Sequence, residues 1–174
     1  MEHIKIGKDV LESLTVSMYE DHKSLYREYI QNSCDAIDRA VKNKILNNVI
    51  DGEIHISIDR TKREISIHDN GVGICQQDVY SILGNIALSD KEKGKDRGFR
   101  GIGRLAGLGY CEELIFETSF IGEDVATEMS WDAKKFQQII LDRKHREEAG
   151  VVVEQIISQV TKKPTNKSII LKLN

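Results

Sequence analysis

The sequence predicts an α/β chain built as a two-layer sandwich, with helices on one face of a mostly antiparallel sheet. Helical spacing is confined largely to the first third. Two-residue alternation, broken by polar turns, then recurs as pairs of strands. Short helices are interleaved among these pairs, and such elements bury their apolar faces by stacking a helical layer on a sheet.

In order along the chain, Asp9 to about Leu46 reads as two helices. Tyr19–His22 is the break between them and Asp21 a cap for the second. On that second helix Tyr26, Ile30, Cys34, Ile37 and Val41 form a mostly apolar stripe at three- and four-residue steps. Ile54, Ile56 and Ile58 alternate with polar residues, as do Ile65 and Ile67, and residues 59–63 make the hairpin loop between these strands. A short helix is expected over 76–83. Residues 84–100 are glycine-dotted and charged, and read as a mobile loop. Another short helix is expected after Gly103. Residues 113–120 and 123–131 read as a second hairpin. Ala133–Ile140 stays open between helix and strand. Val151–Val160 and Ser168–Leu173 are expected to form a third hairpin around residues 162–167.

Composition narrows the function. At 174 residues the chain reads as one domain spanning 1–174, with 40% hydrophobic and 30% charged residues. No apolar run reaches the length of a membrane span, and the first residues lack the apolar stretch of a signal peptide. The three cysteines, Cys34, Cys75 and Cys111, are widely spaced, which suits a reduced cytoplasmic setting. The five histidines form no zinc pattern. A net charge of −3 does not favour nucleic acid as a partner.

Three short motifs carry the chemistry. The first runs from Glu28 through Asn32, Asp35 and Ala36. Glu28 and Asn32 are four apart on a helix and share a face, which Asp35 continues one turn on. An amide oxygen such as that of Asn32 can ligate magnesium, and Glu28 can orient or deprotonate an attacking water. Taken alone, the same pair reads more readily as a solvated polar face. The second motif is Asp69-Asn70-Gly71-Val72-Gly73-Ile74. The carboxylate of Asp69 could accept a hydrogen bond from an adenine amino group, while the glycines let backbone approach a flat ring. The plain alternative is a strand-to-turn connection. The third motif, Gly98-Phe99-Arg100-Gly101-Ile102-Gly103, is a glycine loop opening a possible helix, where backbone N–H groups would hold phosphate oxygens. It has neither the Gly-Lys-Ser/Thr ending of a P-loop nor the acidic residue of a dinucleotide site. Lys91, Lys93, Lys95 and Arg97, interleaved with acidic residues, read either as a lid over a triphosphate or as a solvated loop. The set as a whole suits binding ATP with Mg2+ and positioning water for hydrolysis.

With the three motifs in this order, the chain resembles the GHKL superfamily of gyrase, heat-shock chaperone, histidine kinase and MutL ATPases over nearly its whole length. It is most similar to the ATP-binding domain of the ninety-kilodalton heat-shock chaperones. Met18–Ala36 looks like their first-motif helix, and Leu83–Ser89 like the start of their lid. Gly98–Gly101 is also similar to MutL-type proteins. The resemblance implies the Bergerat fold, with ATP between helices and sheet. It implies Glu28 as the hydrolytic glutamate, Asn32 as the magnesium ligand and Asp69 as the adenine reader. It implies Gly71 and Gly73 at the base of the nucleotide, and Gly98, Gly101 and Gly103 at its phosphates. It further implies a chaperone-like ATPase in which nucleotide closes a lid at about 84–100 and drives a clamp and a homodimer. Relatives place a Gly-Thr pair before the last strand, where this chain has Pro164-Thr165-Asn166-Lys167-Ser168, leaving Thr165 or Ser168 to take that part. Relatives also complete catalysis with a basic residue from a following domain, so the chain reads as the N-terminal fragment of a longer protein, weakly active as an isolated domain. The alternatives are a nucleotide-gated regulatory module with little hydrolysis, and a MutL-type DNA-repair ATPase.

Overall fold

A computed structural model of the chain describes residues 6–17, 22–86, 102–164 and 168–173. A short helix, α1 (Asp9–Glu12), runs into a π-helical turn at Ser13–Ser17. The long helix α2 (His22–Lys42) follows. Of the expected break at Tyr19–His22, His22 is the first residue of α2, while residues 19–21 and the Asp21 cap lie outside the described residues. Next come β1 (Ile54–Asp59), β2 (Glu64–Asp69) and α3 (Val79–Gly84), the last preceded by a 3₁₀ turn at Gln76–Asp78. A second 3₁₀ helix, Gly103–Gly109, leads into β3 (Cys111–Thr118) and β4 (Val125–Asp132). The chain closes with α4 (Ala133–Leu141), α5 (Ala149–Ile156), β5 (Ile157–Pro164) and β6 (Ser168–Leu173).

The six strands form one sheet in the order β1-β2-β6-β3-β4-β5, with every pairing antiparallel. Cross-strand pairs set its two faces. Leu114 lies opposite Trp131 and Phe116 opposite Met129. These side chains share one buried cluster with Leu25 and Tyr29 of α2, Phe136 and Ile140 of α4, and Val152 and Ile156 of α5. The other face pairs Glu117 with Glu128 and Ser57 with Ser66, whose hydroxyls are 2.7 Å apart. The helices therefore cover one face, as the two-layer reading expects.

Three expectations are corrected. Val151–Ile156 is helical rather than extended, because Val152, Val153 and Ile156 fall on one helix face and are buried. The expected third hairpin is absent: β5 pairs with β4, while β6 inserts between β2 and β3. On α2 the fully buried stripe is Leu25, Tyr29, Ser33, Ile37 and Ala40, so that of the expected stripe only Ile37 is fully buried. Tyr29 takes the inward position because its ring packs on Phe116, with centroids 6.4 Å apart, and its hydroxyl is hydrogen-bonded. Ala133–Leu141 resolves as a helix, capped by Asp132, whose Oδ1 accepts from the Lys135 N–H at 2.8 Å.

Candidate functional site

Helix α2 is the spine of the site. At its Ala36 end it meets the second motif. The Val72 N–H donates to the Ala36 carbonyl at 3.1 Å. A methyl group on Gly71 would overlap the side chain and backbone of Ala36, so this close approach requires glycine. Near its middle α2 meets the third motif, where a methyl group on Gly103 would collide with the Glu28 carboxylate. The step from Glu28 to Ala36 covers two helical turns, about 12 Å. Asn32 lies midway between them, and Asp35 is buried and engaged with a neighbouring group.

The second motif is held on every side. Asp69 ends β2 half-buried, rather than deeply buried, and its Oδ1 accepts from the Gly71 N–H at 2.9 Å, which fixes the carboxylate. Asn70 ties the loop to the segment that leads into β1: its Oδ1 accepts from the Glu53 N–H at 2.8 Å and its Nδ2 donates to the Asp51 carbonyl at 2.9 Å. Gly73 has φ +71° and sits on the Ser119 carbonyl. The Ile74 N–H donates to Thr118 Oγ1 at 2.9 Å. Glu123, from the β3–β4 turn, receives the Gln76 N–H at 2.9 Å and the Cys75 thiol at 3.1 Å. The Gln76 and Cys75 donors hold the Glu123 carboxyl below its ordinary range, and the hydrogen bond to Glu123 in turn pushes the Cys75 thiol up.

At the third motif the described residues begin at Ile102, which is buried. Gly98, Phe99, Arg100 and Gly101 lie outside them, as does most of the 84–100 loop with Lys91, Lys93, Lys95 and Arg97. Thr165 lies outside them as well. Ser168 opens β6, and since Ile169 pairs with Ile67, that strand begins beside the Asp69 end of β2. The inserted position of β6 therefore brings Ser168 toward the second motif.

Two contributors escaped the sequence reading. Tyr29 receives the Gly107 N–H and donates to the Arg104 carbonyl, each at 3.0 Å, and so fastens the 103–109 helix to α2. Arg104 reaches across to the end of α3. The cue for Tyr29 was its i,i+4 spacing from Leu25.

Residues 20–163 match the family model described as Histidine kinase-, DNA gyrase B-, and HSP90-like ATPase. The chain belongs to this ATPase family. It carries an ATPase domain of the GHKL, Hsp90-like type, similar to chaperone protein HtpG of several bacteria. It is 29% identical to HtpG of Buchnera aphidicola over 72% of this chain and 23% of that protein. Against HtpG of Ehrlichia canis it is 31% identical over 70% of this chain and 22% of the relative. Against HtpG of Hydrogenovibrio crunogenus it is 24% identical over 83% and 26%. The chain thus spans about a quarter of the length of these relatives. Among the described residues, no helix is long and apolar enough to cross a membrane.

Proposed function

We propose that the domain binds ATP with adenine against the Asp69–Ile74 loop and the phosphates toward Gly103, and hydrolyses it to ADP and phosphate. One observation carries this reading: α2 touches Gly71 at Ala36 and Gly103 at Glu28, two turns apart, so both glycine segments converge on one helix face. We assign Asp69 Oδ2 to the adenine amino group, since Oδ1 is engaged by Gly71. Guanine offers an acceptor at the equivalent position and is rejected. Gly71, Gly73 and Ile74 form the floor beneath the ring. Asp35 and Ala36 support that end from α2, and Thr165 or Ser168 closes it from the start of β6. Gly98–Gly103, including Phe99, Arg100 and Ile102, supplies backbone N–H groups to the phosphates.

Glu28 orients the attacking water and takes its proton. The donor set fits magnesium. Asn32 offers a hard amide oxygen one turn from Glu28, and magnesium takes few protein ligands, completing its shell with phosphate oxygens and water. When bound, the ion neutralises charge on the phosphate oxygens.

In the intact protein we propose a chaperone-like clamp. Residues 84–100 close over the triphosphate, nucleotide favours a homodimer, and client proteins are acted on by parts beyond this domain. Similarity to HtpG supports this, as does the alternating charge of residues 90–97. The three free cysteines support a cytoplasmic setting. A second reading, a nucleotide-gated regulatory module, is favoured by one feature: the missing Gly-Thr pair before β6.

Glu28→Gln separates the two. The first reading expects unchanged ATP affinity and turnover lowered by roughly 10²–10⁴-fold. Substantial turnover that is equal in the variant and the wild type removes Glu28 from the chemistry, and no measurable turnover in the intact wild-type protein favours the regulatory reading.

A further inference from the structure

Resting on the nucleotide site proposed above, we infer that Arg104 is a positioning residue for its phosphate end, holding the Gly103–Gly109 helix against the last turn of α3. Arg104 directly follows Gly103, the glycine whose Cα lies against Glu28. Its Nε donates to the Leu83 carbonyl at 3.0 Å, and its Nη2 reaches the Asn85 carbonyl. Leu83 is one residue from the end of α3, where the final carbonyls have no partner within the helix. One planar guanidinium thus closes a carbonyl of the last turn of α3 and that of its C-cap Asn85, and pins the chain that leaves the glycine loop.

The same short segment is held from the opposite side. Tyr29, the neighbour of Glu28 on α2, donates to the Arg104 carbonyl and receives the Gly107 N–H. Tyr29 therefore fixes one flank of residues 103–107, with Glu28 packed beside Gly103, and Arg104 fixes the other against α3. The distance between the Glu28 carboxylate and the Gly103 backbone depends on both flanks. The guanidinium is half-buried, and burial lowers its pKa to about 10, so it stays protonated at neutral pH and its donors are always present.

A positioning role at the phosphate end differs measurably from a role in general stability. Asp69, Gly71 and Gly73 belong to the adenine end and make none of these contacts. The test is calorimetric titration of wild type, Arg104→Met and Arg104→Lys with adenosine, ADP and a non-hydrolysable ATP analogue. We expect adenosine affinity within about twofold of wild type in both variants. The ATP analogue is expected to weaken roughly tenfold or more in Arg104→Met, with partial recovery in Arg104→Lys, which restores a donor to the carbonyls. An equal loss for adenosine and the ATP analogue overturns the inference, because it marks a role in holding the whole fold. No change for any ligand overturns it as well. If Arg104→Met does not fold, Arg104→Lys decides alone: selective weakening of the ATP analogue supports the inference, and uniform or absent weakening defeats it. Wild type that binds none of the three ligands rejects the site itself and this inference with it.

Discussion

Gly73 and Gly103 are both glycines beside the candidate site, yet they are glycines for different reasons. Gly73 has φ +71° and its missing side chain would strike the backbone carbonyl of Ser119, which cannot move away. Gly73→Ala is therefore expected to cost about 1–3 kcal/mol of stability, read from urea unfolding. At Gly103 the obstacle is the far end of a flexible side chain, the Glu28 carboxylate. Gly103→Ala is expected to keep its unfolding free energy within about 0.5 kcal/mol while losing at least about tenfold in turnover, because Glu28 must swing aside. A large stability loss in Gly103→Ala would refute that assignment. The motif positions of Glu28, Asn32, Asp69, Gly71 and Gly73 were legible in the sequence. Which glycine answers to φ and which to a close approach was not, because that depends on Ser119 and Glu28, far away in the chain.

Elements show where local patterns stop informing. The hairpins over β1–β2 and β3–β4 were legible because alternation and turn residues are local signals. Helix α5 was misread because a run of three valines has strand character, whereas packing against the core selects the helix. Long-range ties were invisible for the same reason. Lys8 is buried and donates from Nζ to the carbonyls of Ile139 and Asp142, at 2.6 and 2.5 Å, closing the end of α4. Its N–H also donates to the Glu147 carbonyl. Lys8→Met leaves the carbonyls of Ile139 and of the C-cap Asp142 without this donor and is expected to lower stability by about 1–3 kcal/mol in chemical denaturation. An unchanged midpoint would show that the tie contributes nothing. Glu123 gives a pH signature. Its folded pKa lies below the ordinary 4.5, held there by hydrogen bonds from Gln76 and Cys75. Its contribution is thus present above the ordinary value and lost as pH falls through the folded one. Thermal melts should fall more steeply for wild type than for Glu123→Gln on acidification below about pH 4.5. Parallel curves would discount the clamp.

At the scale of the whole molecule, the two-layer architecture was legible because the helical spacing of α2 and the strand alternation of β1–β4 are strong local signals, even though α4 and α5 were not read as helices. Strand order was not. Nothing local in Ser168–Leu173 marks it as an inner strand between β2 and β3. That insertion organises the site. It brings the start of β6 to the Asp69 end of β2, while α2 spans the distance from there to Gly103. The central claim is that one nucleotide bridges these two ends, read at Asp69 and assisted by magnesium at Asn32. The most direct test is calorimetric titration of wild type and Asp69→Asn with ADP and a non-hydrolysable ATP analogue, with and without magnesium. The account predicts that wild type binds both nucleotides, the ATP analogue more tightly with magnesium. It predicts that Asp69→Asn weakens both by at least roughly tenfold while remaining folded. Equal affinity in wild type and Asp69→Asn would contradict it.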